Sequence, residues 1–250
     1  MSNYYFIYLI NQNEVRKRVK GDFMCKPIEK LRGKSAEHIL NTYGNIYKYP
    51  VDIEQIVRNI GNIEIGSMDF SELEKIEVPP AGAHIIGALR VFDNNVQIIY
   101  SDRFPNDNNS EYSSISNDVK QKKLRRRQRF TLAHELAHCS LHIDPKERGY
   151  YVEFHSDNDR FTEDNREFVA NAFAGALLMP SNIIHAFISN PNYYDIKGKD
   201  GKISIAKMAD AFDVNNSVMC ERIRNIRNSE GLYQNISFDV EGIKNAGDLQ

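Results

Sequence analysis

The run His134-Glu135-Leu136-Ala137-His138 sets two imidazoles four residues apart, with a carboxylate beside the first. On an α-helix a four-residue step rises about 6 Å and returns to nearly the same face. Both rings can then share one metal ion, at Zn–N distances of about 2.0–2.1 Å. Glu135 lies off the line joining the two histidines, so it can reach a water at the ion without being a ligand. The competing reading is two helix histidines buried against backbone.

A hydrolytic zinc site needs a third protein ligand and one open position. The metzincin pattern would put a histidine six residues after His138, but that position is Asp144. A glutamate on a following helix is the alternative. Glu167 fits, because it stands in the otherwise apolar run Glu167-Phe168-Val169-Ala170-Asn171. A carboxylate there is costly to bury without a partner, and a metal ion is a sufficient one. A solvated first-turn acid is the plainer reading. Glu163 and Asp164 compete as ligands, but they precede the apolar run.

Asn171, one turn beyond Glu167, could accept from a ligand histidine's other ring N–H and fix its tautomer. It could equally meet solvent or backbone. His142, one turn beyond His138, could touch the site in the same way or cap the helix end, the reading slightly favoured. Tyr150, Tyr151, His155 and His185 are candidates for the donor that stabilises an oxyanion. Such a set hydrolyses a peptide bond without a covalent enzyme intermediate: Glu135 takes a proton from water and passes it to the leaving amine. Zinc suits two histidines and a glutamate, and manganese also fits the mixed nitrogen and oxygen set.

The elements that position these residues are readable in outline. Ser35 caps a short helix ending at Gly44, and Asp52 opens another with Ile53, Ile56, Val57 and Ile60 on one face and Gly61 at its end. Tyr4–Ile10 and Ile63–Ile65 read as strands. Ala83–Phe92 and Val96–Tyr100 flank Asp93-Asn94-Asn95 as a hairpin. Ser101–Asp118 is polar and aperiodic, a surface loop. A long helix spans about Lys120 to His142. A second spans Arg166 to Met179 and stops at Pro180, and a short one starts at Ser181. Ser204–Phe212 and Asn216–Arg227 form a last helix pair around Asp213-Val214-Asn215. The class is α+β, with a small sheet early and helices late.

The chain has 250 residues, 32 Lys+Arg against 34 Asp+Glu, and 41% hydrophobic residues. That composition excludes a disordered chain and gives no whole-protein basic footprint for nucleic acid. No stretch reaches the ~20 apolar residues of a membrane span, and the N-terminus does not read as a secretion signal. The three cysteines, Cys25, Cys139 and Cys220, are far apart, which points to a reducing cytoplasm. Seven of the ten residues Lys120–Arg129 are basic. They read as a solvated helix face rather than a nucleic-acid patch. The last helix pair has the outline of a helix-turn-helix, with Arg222, Arg224 and Arg227 on its second helix. A packing role or docking of a protein is preferred there, so nucleic acid is not expected to bind directly.

The run Arg129 to His138, followed by Leu141-His142, resembles the ImmA/IrrE metallopeptidase family. So does Glu167 to Ala174 running into Leu177-Leu178-Met179-Pro180. Gly87 with its surrounding strands and the Val51–Gly61 helix are also similar, and the likeness covers roughly residues 35–185. Ala137 stands where the family usually has Gly, and Cys139 precedes the usual Leu-His pair. Cys139, beside a ligand, is thereby a candidate for redox sensitivity. The resemblance implies a gluzincin-like zinc metallopeptidase core over residues 1–185, with His134, His138 and Glu167 as ligands and Glu135 as catalytic acid and base. It implies a helical C-terminal region, 186–250, like a degenerate helix-turn-helix. It further implies a cytoplasmic enzyme whose substrate is a helix-turn-helix transcriptional repressor. A metal-containing antirepressor that acts by binding alone, or a DNA-binding regulator, is the alternative.

Overall fold

The computed structural model describes residues 25–72, 84–92, 95–103, 116–143, 151–156, 165–243 and 246–249. Helix α1 (Lys26–Leu31) has a proline in its first turn, where the missing N–H is tolerated. Helix α2 (Ala36–Tyr43) begins where the Ser35 hydroxyl accepts from the His38 amide. Helix α3 (Ile53–Ile60) begins where the Asp52 carboxylate accepts from the Gln55 amide. It ends at Gly61, whose φ of 77° is a conformation that favours glycine. These caps and the apolar face of α3 are the ones expected from the sequence.

Strand β1 (Ile63–Met68) runs parallel to β3, while β2 (Ile85–Phe92) and β3 (Asn95–Ser101) form the expected antiparallel hairpin. Helix α4 (Asn117–Leu141) follows, then β4 (Tyr151–Ser156), which pairs antiparallel with β2 and gives a four-stranded sheet in the order β1-β3-β2-β4. Strand β4 is not among the elements expected from the sequence. Leu89, Val91, Val96 and Ile98 join the main core. Ile85, Ala88 and Ile99 pack with Met68 and Phe70 in a second, smaller cluster.

Helices α5 (Asn165–Leu178) and α6 (Ser181–Ser189) meet at Met179-Pro180. Strand β5 (Ile203–Ser204) leads into α7 (Ile205–Phe212) and α8 (Asn216–Glu230), and β6 (Phe238–Asp239) returns to pair with β5. One apolar core takes in side chains from Cys25 to Leu249 and is unbroken at residue 185. Tyr4–Ile10 lies outside the described residues. So does most of the Ser101–Asp118 loop: Ser101 closes β3, and Asn117 already begins α4.

Helix α4 changes character along its length. Its first turns are rich in Lys, Arg and Gln, good helix formers, and several of them are exposed. From Phe130 to Ser140 every residue is buried, so this half of the helix is enclosed on all sides. Among the described residues, no single helix is long and apolar enough to cross a membrane.

Candidate metal centre

His134 and His138 sit one turn apart in the enclosed half of α4, with Nε2 atoms 2.9 Å from each other. Glu167, in the first turn of α5, brings one carboxylate oxygen to 3.1 Å from His134 Nε2 and the other to 3.3 Å from His138 Nε2. All three are buried. Ligand atoms held tetrahedrally about zinc at ~2.0–2.1 Å stand about 3.3 Å apart. The three spacings here approach that value.

The outer partners fix what the inner atoms can be. His134 Nδ1 lies 3.1 Å from Asn171 Oδ1, which can only accept. Nδ1 therefore carries the proton, and Nε2 turns a lone pair toward the other two residues. His138 Nδ1 lies 3.0 Å from His142 Nδ1. Two imidazole nitrogens and a carboxylate converging in a buried space repel one another unless a cation joins them. The donor set fits a divalent metal ion, and it is the group of this kind found among the described residues.

Residues 119–224 match the model of the Peptidase_M78 family, the IrrE N-terminal-like domain. This stretch of the chain is similar to the IrrE N-terminal-like domain. No curated protein and no solved structure matches the chain. The family match supports a metallopeptidase-type function, and with the converging donors it supports a bound metal ion. The α+β class is as expected, with a small sheet, the HExxH helix and a following helix that bears a glutamate. The matched stretch runs from α4 past α5, α6 and α7 into α8.

Glu135 is fully buried beside this cluster. Its carboxylate lies against β2 at Gly87, where a Cβ would come 3.0 Å from Glu135 Oε1 and 2.5 Å from Thr131 Cγ2. Only glycine lets the strand approach the helix this closely. Thr131 was not singled out in the sequence, although it stands one turn before Glu135 on the same helix face.

The remaining candidates fall in different places. His155 pairs with Gly87 and Tyr151 with Val91 through the backbone of β4, so this strand runs beside the Gly87 contact. Tyr150, Glu163 and Asp164 lie outside the described residues. His185 is on α6, its Nδ1 3.3 Å from the Tyr233 hydroxyl. Glu167 and His185 flank the length of α5, about 16 Å from Glu167 to the helix end. His142 is the C-cap residue of α4, the slightly favoured reading, and its ring also lies against His138. Cys139 is fully buried, and burial with the neighbouring Glu135 charge pushes its thiol well up. That disfavours the thiolate that oxidation requires, so the expected redox sensitivity is not supported.

The basic run is a solvated face only in part: Lys122 and Arg125 are exposed, whereas Arg126 and Arg129 turn inward. Arg126 is buried, with Nη2 donating to Asp210 at 2.6 Å and Nε to Asp213 at 3.2 Å. Arg125 Nη2 donates to Asp213 at 2.7 Å, and Arg129 Nε lies 3.4 Å from the same carboxylate. Arg129 Nη2 donates to the Val51 carbonyl at 2.9 Å. Asp213 takes a left-handed conformation, φ 53°, at the α7–α8 turn, which carries its carboxylate onto α4. Burial pushes the Asp213 and Asp210 carboxyls up, but the bonds and charges from these basic side chains outweigh it and hold both below the usual range. The arginines of α8 are likewise engaged within the chain. Arg222 Nε donates to the Met179 carbonyl, Arg224 pairs with Asp248, and Arg227 donates to the carbonyls of Tyr233, Ile236 and Asp248. A helix that reads DNA needs such side chains free.

Proposed function

We propose that this protein is a metal-dependent endopeptidase, with zinc as the metal and manganese as the alternative, acting in the cytoplasm on a helix-turn-helix transcriptional repressor and relieving its repression. The supporting observation is the convergence of His134, His138 and Glu167 donors, at 2.9–3.3 Å, beside the buried Glu135.

When bound, the ion supplies Lewis-acid polarisation of the scissile carbonyl and lowers the pKa of water at the site. His134 and His138 would hold it through Nε2, and Glu167 through its carboxylate. Asn171 and His142 fix the two rings by their Nδ1 atoms, which spares reorganisation when substrate arrives. Glu135, pressed against Gly87, receives the proton of the attacking water and delivers it to the amine that leaves. Burial of His134, His138, Glu167 and Glu135 strengthens each of these charge interactions.

The test combines metal analysis with a gel cleavage assay on a helix-turn-helix repressor encoded beside this protein. Wild type should bind about one ion per chain and give discrete fragments. Glu135→Gln should keep the metal and leave the repressor intact, while His138→Ala should lose both. Cleavage by Glu135→Gln would overturn the role given to this carboxylate. An intact repressor held in a stable complex would replace proteolysis with antirepression by binding.

A further inference from the structure

Helix α5 shows two large apolar side chains to solvent directly after a candidate ligand. Phe168 is 60% exposed and Val169 38% exposed, in the same turn as the buried Glu167. Successive helix residues turn by about 100°. Counted round the helix from Glu167, Asn171 stands at about 40°, Phe168 at about 100°, Ala172 at about 140°, Ala176 at about 180° and Val169 at about 200°. Ala172 and Ala176 are half-buried. The result is an apolar stripe in which two methyl groups leave room beside a phenyl ring and an isopropyl group. It adjoins the ligand face through Asn171, whose Oδ1 meets His134 Nδ1 at 3.1 Å. A helix that only packs on a core carries polar residues on its open side.

The metal centre opens at the same place. His134 and Glu167 keep 7% and 6% of their surface in contact with solvent, whereas His138 and Glu135 keep none. A peptide therefore reaches the three donors past His134 and Glu167. An apolar ring also stands beside His134, with the Phe130 centroid 6.4 Å from that of the imidazole. Phe168 is the residue after Glu167, about 3.8 Å away between Cα atoms. Apolar residues scattered singly over a surface need no explanation, but a stripe that begins at the mouth of a reactive site does. Arg166 and Glu167 are the charged residues of α5, and neither falls within the stripe.

We propose that Phe168 and Val169, with Ala172 beside them, form the surface that receives a bulky apolar side chain next to the cut bond of the substrate. The inference rests on the metallopeptidase reading above and adds what the site selects: a leucine- or phenylalanine-like residue at the cut, in preference to a small or acidic one. Burying that side chain against the stripe takes apolar surface of both partners out of water.

The experiment titrates the full chain, carrying one equivalent of zinc, with the α-hydroxamates of N-acetylated glycine, leucine, phenylalanine and glutamate. The hydroxamate group chelates a metal ion whatever side chain is attached, so differences among the four report the surface beside the ion. The leucine and phenylalanine forms should bind about tenfold more tightly than the glycine form, and the glutamate form no more tightly than glycine. Phe168→Ser and Val169→Ser, changes at exposed positions, should each cut that advantage to under about threefold while metal content and glycine hydroxamate affinity stay as in wild type. Phe168→Leu should retain it, and Leu232→Ser, at an exposed apolar residue beyond α8, should change nothing. Equal affinity for the glycine and phenylalanine forms would overturn the proposal, as would an advantage that survives Phe168→Ser. A wild-type dimer in sedimentation that Phe168→Ser abolishes, with no side-chain preference among the hydroxamates, would assign the stripe to a second copy of the chain instead. Failure of all four to bind the zinc-loaded protein would overturn the metallopeptidase reading itself, and this inference with it.

Discussion

Gly87→Ala tests whether the meeting of β2 and α4 sets the position of Glu135. The added methyl would sit 2.5 Å from Thr131 Cγ2 and 3.0 Å from Glu135 Oε1. Ordinary carbon contacts lie at about 3.5–4.0 Å, so strand and helix must part by about 1 Å. Both neighbours are buried, and the nearer one, Thr131 Cγ2, belongs to a short β-branched side chain that is stiff at χ1. Overpacking of this kind costs about 1–3 kcal/mol, or roughly 2–4 °C of melting temperature per kcal/mol in a chain of this size. A shift of about 1 Å at a catalytic group lowers turnover by about a hundredfold, so activity should fall further than stability. The assay is denaturant unfolding of Gly87→Ala, Thr131→Ser and the double variant. Thr131→Ser removes the clashing methyl, so the double variant should regain most of the loss, with a coupling of at least about 1 kcal/mol. Gly87→Ala within about 0.5 kcal/mol of wild type, or strictly additive variants, would refute the reasoning.

Three further outcomes follow from the same contacts. Asp213→Ala should destabilise by about 3–5 kcal/mol, because it strips the buried Arg126 of a partner, whereas Lys122→Ala, at an exposed pair with Asp210, should cost under about 1 kcal/mol; equal losses in thermal melts would contradict this. Asp210 and Asp213 have carboxyls held below the usual carboxylate range, so the folded state binds fewer protons than the unfolded state. Their contribution is complete above about pH 5 and is lost as pH falls through the lowered pKa, so Asp213→Asn should flatten the acid limb of a stability–pH curve. Asn171→Leu, which removes the acceptor for His134 Nδ1, should weaken metal affinity about 10–100-fold in a competition titration with a chromophoric chelator.

How much of this was legible in the sequence depends on the range of the contact. The caps at Ser35 and Asp52, the stop at Gly61 and the hairpin around Asp93-Asn94 are decided within a few residues, and the chain carries their signatures. The spacing of His134 and His138 is likewise local, and the apolar setting of Glu167 pointed to a burial that the structure shows. Strand β4 exists through pairing with β2, some sixty residues earlier, and has no local mark that separates it from a loop. Strands β5 and β6 are two residues each, held by one another. The basic run misled in part for the same reason: its anions, Asp210 and Asp213, arrive from 84–88 residues further along the chain.

Helix α4 is therefore held at several points along its length. At its N-terminal half, Arg125, Arg126 and Arg129 clamp it to the α7–α8 turn, and Arg129 also ties it to the segment before α3. In the middle, Thr131 and Glu135 press on Gly87 of the sheet. Near its end, the Ser140 hydroxyl lies 2.8 Å from the Leu31 and Lys34 carbonyls, and the Gly33 amide donates to the Ser140 carbonyl. From Arg126 to Ser140 is about 21 Å of helix, and the two histidines lie between these anchors. A ligand pair fixed on both sides cannot slide or rotate without breaking a buried contact. Loss of the α7–α8 turn would free one end of that helix, and so the terminal helices help to hold the candidate ligands in place.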